Sequence, residues 1–117
     1  MSPFLLDEFM DLWPEDRADS FYGLVLFGSR LRGEATERSD LDIGVVYTGP
    51  RPLVHSRQDS WDLFFWNLRH WKLGFVLQVE IARAFYIVDD RTGALRSKLQ
   101  EIEEFILPHW AGYVPRL

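Results

Sequence analysis

The apolar positions in the first part of the chain predict one helix followed by two strands. Apolar side chains recur at helical spacing over residues 4–13 with acidic residues between them, and Pro14 disfavours continuation of this helix. Residues 20–27 form a nearly continuous apolar run, which is typical of an interior strand covered on both faces. Residues 40–47 alternate between polar and apolar side chains and then become β-branched, which predicts a second strand.

The middle of the chain is predicted to form a helix rich in aromatic side chains. Ser56 and Asp59 have the spacing of a capping box, and Gly74 marks the expected end of the helix. The apolar stripe of this helix, which core packing explains, consists of Trp61, Phe64, Phe65, Leu68 and Trp71. Leu63 and Trp66 lie off the centre of the stripe, so if they were exposed they would form an apolar patch for a partner or a second copy of the chain.

Two more strands and a last helix complete the predicted elements. Residues 75–82 alternate weakly, with Glu80 on the polar side, which predicts a third strand. Residues 84–88 predict a fourth strand, and apolar residues at helical spacing over 95–106 predict a helix that ends before Pro108. Helices and strands in this order indicate an α+β (mixed α/β) protein with a small mixed β-sheet flanked by helices.

The composition limits the number of domains and the class of function. A chain of 117 residues, of which 47% are hydrophobic, can build one packed core, so residues 1–117 are expected to form a single domain. The formal net charge of −5 disfavours extensive nucleic-acid binding, and the lack of cysteine excludes thiol chemistry. The N-terminal segment has the wrong charge order for a signal peptide, and no apolar run approaches the roughly 18 residues of a membrane span, so a cytoplasmic protein is expected.

The segment after the first predicted strand has the features of an anion site. Gly28 lies where the strand ends, so the absence of a Cβ would let the backbone approach a ligand closely. Ser29 adds a hydroxyl group, and residues 30–33 can form about one helical turn whose free N–H groups favour a phosphate. Arg30 and Arg32 add positive charge in an otherwise acidic protein. An anion is the natural ligand.

Two aspartates follow on the second predicted strand. Asp40 and Asp42 are two residues apart, so their carboxylates project from the same face. Such a pair is tolerated when a proton or a divalent cation is shared, and Mg²⁺ suits carboxylates beside a phosphate. A solvated strand edge is the alternative, and the preceding Gly28-Ser29 argues against it.

With Gly28-Ser29, ten intervening residues and then Asp40-x-Asp42, the chain resembles the polymerase-β-like nucleotidyltransferase superfamily. The fuller pattern, Gly-Ser-Arg-x-Arg-Gly-x-Ala followed by Ser-Asp-Leu-Asp, is similar to its minimal branch, the MNT domains. The resemblance implies a short mixed sheet that presents Gly-Ser to a nucleoside triphosphate and three carboxylates to two Mg²⁺ ions. It further implies that Ser29 contacts the phosphates and that Asp40 and Asp42 ligate metal.

The third carboxylate of the family lies on a neighbouring strand. The best match to its apolar-acid-apolar context is Val79-Glu80-Ile81, so Glu80 is predicted to complete the catalytic and metal site, together with Asp40 and Asp42. A strand-edge Glu80 without metal is the alternative. Asp59 and Asp62 are poorer candidates because they fall on the predicted helix.

The resemblance favours an Mg²⁺-dependent enzyme that transfers a nucleoside monophosphate, AMP from ATP, to a hydroxyl acceptor. A chain this short leaves little room for an acceptor domain, so the resemblance suggests a helical HEPN-type protein partner in a toxin–antitoxin pair, and a homo-oligomer stays open. The alternative is a catalytically weak or inactive nucleotidyltransferase-like binding module that neutralises its partner. A template-directed polymerase is disfavoured because no large basic region remains.

Overall fold

A computed structural model of the chain describes residues 5–29, 31, 33, 40–58 and 60–110. Three α-helices and five strands lie within this part of the chain. In chain order they are α1 (Leu5–Met10), β1 (Phe21–Phe27), β2 (Leu41–Tyr47), β3 (Arg57–Gln58), β4 (Trp61–Asn67), α2 (Phe75–Arg83), β5 (Phe85–Asp90) and α3 (Ala94–Phe105). Short 3₁₀ segments cover Glu15–Ser20 and Leu107–His109.

The strands form one mixed sheet in the order β3-β4-β2-β1-β5. Strand β1 is antiparallel to both β2 and β5, β2 is parallel to β4, and β3 is antiparallel to β4. Because β2 and β4 are parallel, they begin at the same edge of the sheet, and β1 ends at that edge.

Apolar side chains cover both faces of the sheet. Alternate residues of β1 belong to different core clusters: Val25 packs with α2 and α3, whereas Leu24 and Leu26 pack with α1. The predicted class, a small mixed sheet flanked by helices, is therefore confirmed. None of the described helices has the length and apolar character that a membrane span requires.

The prediction of a helix between Ser56 and Gly74 is wrong, because this segment contains strands β3 and β4. Both faces of β4 are covered: Trp66 packs on the α2 side and Leu63 on the α1 side. A strand covered on both faces shows no clean polar–apolar alternation, so its apolar residues also matched a helical stripe. Leu63 and Trp66 are 3% and 0% exposed, so they form no surface patch.

The prediction of a strand over 75–82 is also wrong, because these residues lie in helix α2. Its buried residues include Val79, Ile81 and Ala82, which suit a helix packed on the sheet. The Gln78 side-chain amide donates to the carbonyls of Trp71 and Leu73, at 3.1 and 3.0 Å, and so ties the first turns of the helix to the preceding loop. Packing on the sheet here overrides the preference of β-branched residues for strands.

Candidate active site

The site lies at the edge of the sheet where β1 ends and β2 and β4 begin. Phe27, the last residue of β1, is the cross-strand partner of Asp42 on β2. Asp42 is in turn the register partner of Asp62 on β4. The connection that follows β1 is therefore placed beside acids from two neighbouring strands.

Gly28 turns the chain away from β1 directly against Asp42. Its φ of +90° lies in the left-handed region, and the Leu31 N–H donates to the Gly28 carbonyl at 3.0 Å to close the turn. A Cβ at Gly28 would overlap the Asp42 carboxylate. Glycine is thus required for its backbone conformation and for its contact with the acid, and Ser29 follows at a partly buried position.

Replacing Gly28 by alanine is expected to lower the free energy of unfolding more than the same change at Gly33. Both residues have positive φ, which costs a non-glycine residue roughly 1–2 kcal/mol. Only at Gly28 does the added methyl group meet a neighbour, whereas nothing lies within 4 Å of a Cβ at Gly33. The additional loss at Gly28 should be roughly 1–3 kcal/mol, measured by urea unfolding. Equal losses would mean that the Asp42 carboxylate does not rest on Gly28.

Three aspartates meet at this edge. Asp40 directly precedes β2, and Asp42 and Asp62 occupy equivalent positions on parallel strands, whose spacing is about 4.8 Å in sheets generally. Gly44, two residues after Asp42, lies beneath Ile81 of α2, so Asp42 is on the sheet face that α2 covers.

Arg57 joins two of these acids. Its Nη2 donates to Asp40 Oδ2 at 2.7 Å, and its Nη1 donates to Asp62 Oδ1 at 3.4 Å. The Asp40 and Asp62 side chains are 22% and 28% exposed. Oxygens from two separate strand ends therefore reach a single cationic group.

The β3–β4 hairpin places Arg57 in this position. Arg57 is the register partner of Asp62, and the Leu63 N–H donates to the Ser56 carbonyl at 2.6 Å beside it. The Leu41 N–H donates to the Ser60 carbonyl at 2.8 Å, which ties the hairpin to the start of β2. Backbone hydrogen bonds thus hold Asp40, Asp62 and the root of Arg57 together.

The structure brings four of the predicted site residues to this edge, namely Gly28, Ser29, Asp40 and Asp42. Arg30 and Arg32 lie outside the described residues. Glu80 lies on helix α2, where it accepts a hydrogen bond from Arg83 Nη1 at 3.0 Å. The structural reason for assigning Glu80 to the site, a position on a strand beside the aspartates, is therefore removed.

Asp62 takes the neighbouring-strand position that the sequence analysis gave to Glu80. A signal for it was present in the sequence, because Trp61-Asp62-Leu63 repeats the apolar-acid-apolar pattern of Leu41-Asp42-Ile43 before a second apolar run. The predicted helix concealed this pattern.

Carboxylate oxygens are the ligands that Mg²⁺ prefers, and a cation already lies between two of them. As the side chains stand, no three histidine, cysteine or acidic residues within the described ranges form a group that could hold a metal ion. The Arg57 guanidinium, which donates to oxygens of both Asp40 and Asp62, occupies this position instead. Asp40, Asp42 and Asp62 are the residues whose carboxylate oxygens would hold a divalent cation.

A family model described as a nucleotidyltransferase domain matches residues 5–113. The chain therefore belongs to the nucleotidyltransferase domain family, and we class it as an enzyme of that type.

One solved structure supports the fold, and a second one overlaps with a smaller part of the chain. A crystal structure of a toxin–antitoxin with AMP-PNP superposes with a TM-score of 0.55 at 17% identity, covering 85% of each chain. A candidate nucleotidyltransferase of Sulfolobus solfataricus gives a TM-score of 0.38 at 19% identity, covering 56% of this chain and 62% of the other. No curated protein matches the chain.

Proposed function

We propose that the protein is an Mg²⁺-dependent nucleotidyltransferase that transfers AMP from ATP to a hydroxyl acceptor. The observation that carries this proposal is that Asp42 and Asp62 are register partners on parallel strands, beside the turn at Gly28. Asp40 belongs to the same group, because it contacts the guanidinium that also contacts Asp62. Membership of the nucleotidyltransferase domain family supports the reaction class.

The three aspartates would hold two Mg²⁺ ions together with the triphosphate. When bound, the metal ions stabilise negative charge on the entering and leaving oxygens and lower the pKa of the attacking hydroxyl. The glycine at position 28 lets backbone approach the phosphates, and Ser29 offers them a hydroxyl donor. Arg30 and Arg32 are proposed to add positive charge beside the triphosphate.

The reaction exchanges one phosphate ester bond for another. The acceptor oxygen bonds to the α-phosphorus while the bond from the α-phosphorus to the bridging oxygen breaks and pyrophosphate leaves. The hydroxyl proton passes to a site carboxylate or to water. Most of the chain's own contribution is to bind and orient the reactants and to fix carboxylate charge near the reacting phosphorus.

A partner protein is the proposed acceptor. The neighbour with the higher TM-score is a toxin–antitoxin structure that contains AMP-PNP, which supports both a protein partner and a nucleotide in this fold. The resemblance to MNT domains makes a helical HEPN-type protein our specific proposal for the partner. We propose a cytoplasmic location for this reaction, since ATP is available there.

One observation favours a second candidate, an inactive binding module that neutralises its partner. Arg57 holds oxygens of Asp40 and Asp62 that the proposed metal ions need. If this ion pair persisted in the presence of Mg²⁺ and ATP, the protein would retain the fold without the reaction.

ATP is expected to bind at least about tenfold more weakly in EDTA than in Mg²⁺, because three carboxylates at the binding edge repel a bare triphosphate. Isothermal calorimetry with both solutions measures this difference. Transfer is then followed with the proposed HEPN-type partner as acceptor and with ATP labelled at either the α- or the γ-phosphorus.

Label from the α-phosphorus, and none from the γ-phosphorus, should appear on the acceptor. Equal ATP affinity in EDTA would contradict the metal-dependent site, and transfer of the γ-label would indicate a kinase instead. Metal-dependent binding of ATP and of the partner without any transfer would favour the binding module.

A further inference from the structure

Arg57 is an unusual residue to find against the candidate metal ligands. Its side chain is 71% exposed, and it makes charged contacts with Asp40 and Asp62, which are partly buried. These two acids come from different strands, and Arg57 on the β3–β4 hairpin contacts both of them. Arg57 is the one described cationic residue that bridges them.

We propose that Arg57 is a resident counter-cation that holds Asp40 and Asp62 in the metal-free protein and is displaced when the divalent cation binds. The inference rests on the proposed function, because it takes these carboxylates to be metal ligands. Arg57 is thereby a positioning residue that sets the affinity for metal.

Carboxylates clustered at one edge repel one another when no cation is present. A guanidinium group suits the resident role because its planar set of five donors can bond two separate acceptors at once. The contact to Asp40 is short, whereas the contact to Asp62 is long, so Arg57 holds one acid firmly and the other loosely.

The same geometry lets Arg57 leave. An ion pair of a mostly exposed arginine contributes little to the free energy of folding, because water can replace the carboxylates as the hydrogen-bonding partner of the guanidinium. The arginine can therefore move into solvent while backbone hydrogen bonds keep the hairpin in place. The carboxylate oxygens would then be free to bind metal.

Competition for the same oxygens has a reciprocal consequence. An interaction that must break when metal binds lowers the apparent affinity for metal by the factor by which it stabilises the metal-free form. Removal of Arg57 should therefore destabilise the protein in EDTA and strengthen metal binding at the same time. A merely structural ion pair would show only the first effect.

The test measures Mn²⁺ binding without nucleotide, from the electron paramagnetic resonance signal of the free ion. Arg57→Gln is expected to bind Mn²⁺ roughly three- to tenfold more tightly than the unsubstituted protein. Its Tm should be lower than that of the unsubstituted protein in EDTA and should recover that deficit at saturating Mn²⁺.

Arg83→Gln is the matched control. It removes the same charge and also breaks an ion pair, that with Glu80 on α2. Its Mn²⁺ affinity should stay close to that of the unsubstituted protein.

Two results would overturn the inference while leaving the proposed function standing. One is Mn²⁺ binding that Asp42→Asn abolishes but that Arg57→Gln leaves unchanged or weakens. The other is an equal gain in affinity for Arg83→Gln, which would show an effect of net charge alone. If neither the unsubstituted protein nor Arg57→Gln binds Mn²⁺, the proposed metal site itself is wrong and the inference fails with it.

Discussion

Replacing Asp42 by asparagine is expected to lower the rate of nucleotidyl transfer on the order of a thousandfold, with the fold retained. Asp42 lies between the Gly28 turn and Asp62, so its carboxylate is central to the proposed metal site. Asparagine has nearly the same shape and can occupy the same space against Gly28, but it removes the negative charge that binds metal. The rate is measured from α-labelled ATP to the acceptor protein at saturating Mg²⁺.

Asp89→Asn is the matched control for this substitution. Asp89 lies on β5 opposite Leu24, towards the other end of the sheet, so the change removes one carboxylate from a strand without touching the site. Its transfer rate should stay within about twofold of the unsubstituted rate, as expected for a change outside the site. A normal rate for Asp42→Asn would contradict the site assignment, and a loss of cooperative unfolding would assign Asp42 a structural role instead.

The parts of the site that could be predicted from the sequence are those set by local chain geometry. Gly28 ends a strand whose uniform apolar character reflects coverage on both faces, and the structure confirms that strand as β1. Asp40 and Asp42 precede a β-branched run, which the structure confirms as β2. In both cases the residues of one continuous segment are enough to predict the strand, so no knowledge of contacts between distant segments is needed.

The position of Asp62, our proposed third acid, depends on contacts between distant segments, which the sequence pattern did not reveal. Strand β4 packs on both faces, so its aromatic residues show no single period and matched a helix. Helix α2 contains several residues with strand preference, but the sheet beneath it stabilises the helix. Because β4 was predicted as a helix and α2 as a strand, the prediction placed Glu80 at the strand position that Asp62 occupies in the structure.

Asp62→Asn is expected to reduce both transfer and metal binding, whereas Glu80→Gln should keep transfer within about twofold of the unsubstituted rate. Asp62 is the register partner of Asp42 on a parallel strand and reaches the same cation as Asp40. Glu80 accepts a hydrogen bond from Arg83 on its own helix. Each substitution removes one carboxylate and retains an amide of the same length, so the pair is matched in charge and shape.

The expected loss for Asp62→Asn is on the order of a hundredfold or more in transfer, because two remaining acids hold a second metal ion poorly. The free energy of unfolding in EDTA should rise or stay the same, because the substitution relieves repulsion among neighbouring carboxylates. These effects are separated by measuring three properties of both variants: urea unfolding in EDTA, Mn²⁺ binding and transfer of the α-label. A large loss for Glu80→Gln with normal transfer by Asp62→Asn would return the third ligand to helix α2. Normal transfer by both variants would mean that Asp40 and Asp42 suffice, so that the proposed reaction does not depend on a third carboxylate.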